Sequence, residues 1–203
     1  MPRRTCFASF ALALLVLALA PAAGASAATP GNPQVLRLPA TGGTPTVLAG
    51  GSPWTSLYGT ALGADGTLYV ANQGNLGPNP AGMGLYSLAN AATAPSPSPF
   101  SLFSSGGSNV YPNDVVATPS TLYEVDSNAS VAINPATPST RTTVSSGQLF
   151  SSLIAFPQFG AVSGTTMYVT AEYTCQSAEG GGAYVIAIDL TTGTQTQVAT
   201  LGC

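Results

Sequence analysis

One unit recurs three times in this chain, and that recurrence constrains the fold more than any other feature. The unit is a short apolar strand, a tight turn, and a second strand carrying an apolar-tyrosine pair. Residues 58–72 form the clearest copy, 111–126 the second and 159–172 the third. The landmark pairs are Leu68-Tyr69, Leu122-Tyr123 and Met167-Tyr168. Asp65-Gly66 is the strongest turn signal, because glycine supplies the positive φ that a two-residue primed hairpin turn requires. A second hairpin follows each copy: 84–88 with 100–103, 130–133 with 141–144, and 184–189 with 196–201. A further hairpin of this second type opens the series, with 34–38 and 46–49 flanking Gly42-Gly43.

No stretch after residue 27 carries a helical period. β-Branched and aromatic residues in short runs, punctuated by Gly and Pro, predict strands throughout. Four strands per repeat of roughly 45–50 residues is the arithmetic of a propeller blade. The expected fold is therefore all-β, with propeller-like blades of four antiparallel strands over residues 28–203. About three and a half blades do not close a ring, since closed propellers have roughly 4–8. An uncapped blade leaves a sheet face and edge open, so three resolutions stand: a truncated propeller, a homodimer completing a ring of seven or eight blades, or ends capped in another way.

The first copy carries a resemblance. Residues 53–72, with Pro53, Gly59, Ala61, Asp65-Gly66 and Leu68-Tyr69-Val70-Ala71-Asn72, resemble the blade of NHL-type propellers and the related lactonase-like and streptogramin-lyase-like propellers. The outer hairpin around Tyr184–Asp189 and Thr191-Thr192-Gly193 is similar to the same broad class. The resemblance implies a propeller. Lactonase-like members place Asp, Asn and Glu around the axis to hold a divalent cation. By that likeness Asn72, Asp126 and Glu172, at the ends of their second strands with Asn113 and Asp114 nearby, form a candidate oxygen-ligand set suited to Ca²⁺. Turn capping by Asp and Asn side chains is the competing use. The lyase activity does not carry over, because it is expected to need histidine and this chain has none.

Residues 1–27 read as a cleavable secretory signal. Arg3 and Arg4 precede the apolar run from Phe7 to Ala20, Pro21 ends it, and Ala25-Ser26-Ala27 is the cleavage site. The run is too short to span a bilayer, so the mature chain is expected to be secreted, extracellular or periplasmic, with no membrane insertion. Cys175 and Cys203 then remain as an even pair in an oxidising compartment and are expected to form a disulfide. It would contribute roughly 3.5 kcal/mol by chain entropy.

Composition excludes several chemistries. Past the signal the basic residues are Arg37 and Arg141 alone, against seven acidic ones. Two arginines cannot displace the counterions of nucleic acid, so no nucleic-acid partner is expected. Without His there is no Ser-His or Cys-His machinery and no imidazole-ligated metal.

Trp54, Tyr58 and Tyr111, together with Phe159, sit before or at the start of first strands and are candidates for a carbohydrate- or peptide-binding rim. Packing between blades is the alternative. The Ala- and Pro-rich stretch 91–98 is a contact loop or a solvated insertion. The functional expectation is a secreted or envelope interaction module without catalysis. A metal-dependent propeller hydrolase or lactonase, working through Asp126, Glu172 and the neighbouring Asn, is the enzymatic alternative. A truncated paralogue with no independent activity is the third.

Overall fold

The computed structural model describes residues 33–50, 54, 56–74, 82–95, 100–105, 111–147, 149–150, 156–174 and 181–201. The expected signal segment 1–27 and the expected disulfide partners Cys175 and Cys203 lie outside these residues. Within them the chain is all-β, with fourteen strands and no helix.

The strands are β1 (Gln34–Arg37), β2 (Thr46–Gly50), β3 (Leu57–Leu62), β4 (Leu68–Asn72), β5 (Gly84–Leu88), β6 (Ser101–Ser105), β7 (Pro112–Ala117), β8 (Leu122–Asp126), β9 (Ala129–Ile133), β10 (Arg141–Ser146), β11 (Phe156–Ser163), β12 (Thr166–Thr174), β13 (Gly181–Asp189) and β14 (Gln195–Leu201). They pair in strict sequence order as a two-stranded sheet β1-β2 and three four-stranded antiparallel sheets, β3–β6, β7–β10 and β11–β14. These are three complete blades preceded by one outer hairpin. The first strands β3, β7 and β11 lie side by side and form the inner edge of the array. Among the described residues no sheet closes on itself.

Each blade meets its neighbour through an apolar layer. Val35, Leu48 and Ala49 of the opening hairpin pack on Val70, Tyr86 and Leu88 of blade 1. Tyr69, Ala71 and Leu85 on the other face of blade 1 meet Val115, Leu122 and Ile133 of blade 2. Val125 of blade 2 meets Met167, Val169 and Ile186 of blade 3 around Phe150. Burying each aliphatic side chain of this kind contributes roughly 1.5–3 kcal/mol.

The layers explain the strand sequences. β4 is sandwiched between two neighbours, so Tyr69, Val70, Ala71 and Asn72 are all buried and its sequence shows no alternation. Among the described residues β12 has a neighbour on one side only. There Met167, Val169 and Ala171 are buried, while Tyr168, Thr170 and Glu172 are exposed, the period-2 pattern of a half-covered strand.

The Asp65-Gly66 hairpin differs from the expected two-residue primed turn. Gly66 N donates to Gly63 O at 3.0 Å and Gly63 N to Thr67 O at 2.8 Å. Gly66 has φ +80°, whereas Ala64 and Asp65 do not have positive φ. This is a type I turn closed by a left-handed glycine. Asp65 stabilises it by accepting from Thr67 N at 3.0 Å and from the Thr67 hydroxyl at 2.9 Å. The glycine is still required, one position later in the turn than the sequence pattern implied.

The stretch after β5 is partly tied down. Arg37 on the opening hairpin donates from Nη1 to the carbonyls of Ala91, Ala92 and Ala94 at 3.1, 3.0 and 2.9 Å. Ala91 and Ala94 are buried in the same layer. One of the two arginines after residue 27 thus joins the hairpin to blade 1.

Candidate functional site

The densest concentration of charge in the described residues lies between blades 1 and 2. Glu124 and Asp126 alternate along β8 and so share the face with Leu122 that meets blade 1. Arg141 opens β10 opposite Ile133 of β9, and Ile133 in turn lies opposite Leu122 of β8. That register brings the guanidinium to the same face. Arg141 clamps Glu124 through two bonds, Nη1 to Oε2 at 3.0 Å and Nη2 to Oε1 at 2.6 Å. Its Nη1 also donates to Ser104 Oγ on β6 of blade 1 at 3.0 Å. Asp126 Oδ2 stands 3.6 Å from Nη2.

Two buried carboxyls thus share one cation. Glu124 is fully buried and Asp126 is 2 % exposed. As a carboxylate, Asp126 finds no hydrogen-bond donor for either oxygen among the described residues. As a carboxylic acid it has a proton to give to Glu124. Burial is the largest cause pushing its pKa up, the nearness of Glu124 adds to it, and Arg141 opposes it; the result is a value of about 9 against an ordinary 3.8. For Arg141, burial works against the charged form, but the bonds and charge of Glu124, with that of Asp126, outweigh it and hold its pKa above the ordinary value. The cluster is a bidentate ion pair with a neutral acid beside it.

A second polar series runs along the inner edge. Gln73, just past β4, donates its amide to Asn113 Oδ1 on β7, and Asn113 Nδ2 donates to the carbonyl of Pro157 on β11. Beside it, Asp114 Oδ2 accepts from Gly160 N of β11 at 2.8 Å. On the other side Asp114 presses against Gly59 of β3, where a Cβ would collide with its carboxylate. Burial raises the Asp114 pKa, and the bonds from the Gly160 and Val115 amides work against that rise. Each inner strand carries an irregularity near its start, between Leu57 and Thr60, Pro112 and Asp114, and Pro157 and Phe159. Such bulges turn backbone groups and side chains away from the regular ladder, and here cross-blade bonds join the strands beside them.

The three expected cation ligands have three different surroundings. Asn72 is fully buried and spends its amide on local backbone, accepting from Ser56 N at 3.3 Å and donating to Gly82 O at 2.7 Å. Asp126 belongs to the Arg141 cluster. Glu172 is exposed. Register explains the last difference. Asn72 and Asp126 each lie four residues past their landmark Leu68 and Leu122, but four residues past Met167 is the buried Ala171. Glu172 is one step further, and one step in a strand moves a side chain to the other face. Among the described residues, no group of three or more Cys, Asp or Glu is placed to hold a metal ion.

The expected rim aromatics also separate. Trp54 is 6 % exposed, with its ring 4.8 Å from Tyr86 and 5.1 Å, edge-on, from Phe100. It is a packing residue between the opening hairpin and blade 1. Tyr58 on β3 is exposed and Tyr111 is half-buried. Phe159 on β11 is 58 % exposed and shares the outer face of blade 3 with Thr170, its partner across the ladder.

That outer face is the largest departure from the covered arrangement elsewhere. Tyr168 is the third landmark tyrosine. Tyr69, its counterpart in blade 1, is 4 % exposed beneath blade 2, whereas Tyr168 is 41 % exposed. The register Tyr168↔Ala187 and Thr170↔Val185 extends the face across β13 with small and apolar side chains. Among the described residues two charges lie on it: Glu172, and at the end of β13 Asp189, opposite Thr166, whose carboxylate accepts from the Thr191 and Thr192 amides. A hollow of about 370 Å³ lies between the turns of blades 1 and 2, lined by Asp65, Tyr69, Thr118, Pro119 and Pro135 among others. The Asp65 carboxylate there is engaged by Thr67.

Sequence reading passed over Glu124, Arg141 and Ser104. A signal was present: Glu124-x-Asp126 is a strand-period acid pair, and Arg141 is one of two cations left to answer it. The chain matches no known family model and no curated protein.

Proposed function

We propose that this chain is an exported, non-catalytic interaction module that holds a protein surface against the outer face of its third blade. One observation carries the reading: Tyr168 lies open at a position whose counterpart Tyr69 is covered by the next blade. A contiguous face of the exposed Phe159, Tyr168 and Thr170, with the half-buried Val185 and Ala187 of β13 beside them, favours an apolar, weakly charged partner surface. The n-region, apolar run and Ala25-Ser26-Ala27 site support export, to the periplasm or the exterior. In that setting Cys175 and Cys203 would pair and fasten the last blade. The carboxylates of the Arg141 cluster are buried between blades and serve the fold.

The test is capture from the cell envelope and medium of the producing organism, with the purified chain as bait. Tyr168→Asp places a charge in the face, and Ser139→Asp places one on an exposed turn of blade 2. Wild type and Ser139→Asp should retain the same protein, further copies of the chain included, and Tyr168→Asp should retain at least tenfold less. Equal retention by Tyr168→Asp, or no retained protein with any bait, would refute the reading.

A further inference from the structure

We infer that the partner seated on blade 3 is a second copy of this chain, joined head to tail, with the opening hairpin of each copy on the third blade of the other. This rests on the proposal that the blade 3 face is a binding surface, and it names the occupant.

The chain supplies its own template. Every blade has a following face, which contains the landmark tyrosine, and a preceding face, which contains the landmark Leu or Met. Tyr69 and Ala71 on the following face of blade 1 receive Leu122, Val131 and Ile133 on the preceding face of blade 2. Tyr123 and Val125 of blade 2 receive Met167 and Val169 of blade 3 in the same way. Among the described residues one following face, that of blade 3, is left open. One preceding face is left open as well, on the opening hairpin. There Val35 is buried against blade 1, so Leu36, its neighbour in the strand, points the other way and is 45 % exposed; Leu38 is 63 % exposed.

The two open faces match in kind. By chain order β1 corresponds to β9, the first strand of the outer hairpin of blade 2, and β9 contributes Val131 and Ile133 to the layer over Tyr69. Leu36 is therefore the residue type and strand position that this repeat uses to cover a landmark tyrosine. The hairpin presents no charged side chain on that face, since Arg37 points to blade 1 and is bound to the carbonyls of residues 91, 92 and 94. Opposite it, the blade 3 face has two charges among the described residues, Glu172 and, at the end of β13, Asp189, which is engaged by the Thr191 and Thr192 amides.

Symmetry makes the match productive. A contact between unlike faces either closes into a ring or grows into a filament. Each chain occupies four blade positions, three complete and one holding an outer hairpin. Two chains thus span about eight positions, within the roughly 4–8 of closed propellers. Closure after two copies forms both contacts at once, so the second forms at high effective concentration.

Sedimentation of the purified chain and two variants decides the matter. Wild type should sediment as two chains. Leu36→Arg and Tyr168→Glu should each weaken association at least tenfold, leaving single chains, with melting of the single chain unchanged because both side chains are exposed. An equal mixture of the two variants should recover a two-chain species. One of its contacts then pairs the introduced arginine on the hairpin with the introduced glutamate on blade 3, and the other contact is wild type. A single-chain wild type, a two-chain species indifferent to both variants, a mixture that stays single, or growth to larger assemblies would overturn the inference. A single-chain wild type whose capture of another protein is still lost in Tyr168→Asp would leave the interaction module standing and remove only this partner.

Discussion

At the scale of single residues, Asp126 makes the sharpest statement about conditions. Its folded pKa of about 9 stands above its ordinary 3.8, so the folded chain binds a proton that the unfolded chain releases. Stability from this group is complete below about pH 4 and is lost progressively as pH rises towards about 9. Asp126→Asn keeps the shape and removes the titration. Thermal melts should show the variant level with wild type near pH 4 and more stable at pH 8; a parent slope that persists in the variant would assign the pH dependence elsewhere. Arg141→Met acts in the opposite sense. It leaves two acids buried without their cation, a loss of about 3–5 kcal/mol at neutral pH by urea unfolding. Acidification should recover part of that loss as the carboxyls take up protons.

At the scale of elements, the two faces of the third blade have different jobs. Ile186 on β13 is fully buried against blade 2, and Val198 on β14 is 51 % exposed. Ile186→Ala should cost about 2–5 kcal/mol, and Val198→Ala should stay within about 0.5 kcal/mol. Similar losses from both would mean that Val198 is packed as closely as Ile186. The inner strands hold to one another differently. There the linkage is polar, through Asn113 and Asp114, and Gly59 is small because the Asp114 carboxylate occupies the space that a Cβ would need.

At the scale of the molecule, a repeat fold gains stability from each interface between neighbours. The described residues form three such layers and leave two open ends. If the ends meet in a second copy, folding and association are linked, and the melting temperature should rise with protein concentration. Calorimetry across a hundredfold dilution should show that rise in the wild type and its absence in Leu36→Arg. Moderate salt should change it little, because few charges lie at the open faces.

The strands and their grouping into blades were legible in the sequence, because a period of two and glycine-marked turns are local properties that neighbouring residues enforce. The open face was also written there, in the alternation of Met167, Tyr168, Val169, Thr170, Ala171 and Glu172, which β4 lacks. What the sequence by itself could not decide was which polar residues meet. Asn72, Asp126 and Glu172 looked equivalent because each closes a second strand, yet a one-residue difference in register turns Glu172 to the opposite face. Glu124 and Arg141 are separated along the chain and joined only when β8, β9 and β10 fall into register beneath Ser104 of the neighbouring blade. Local pattern determines which residues alternate on a strand; only the stacking of one sheet on another determines whether a charge on that strand meets water, a cation or a second acid.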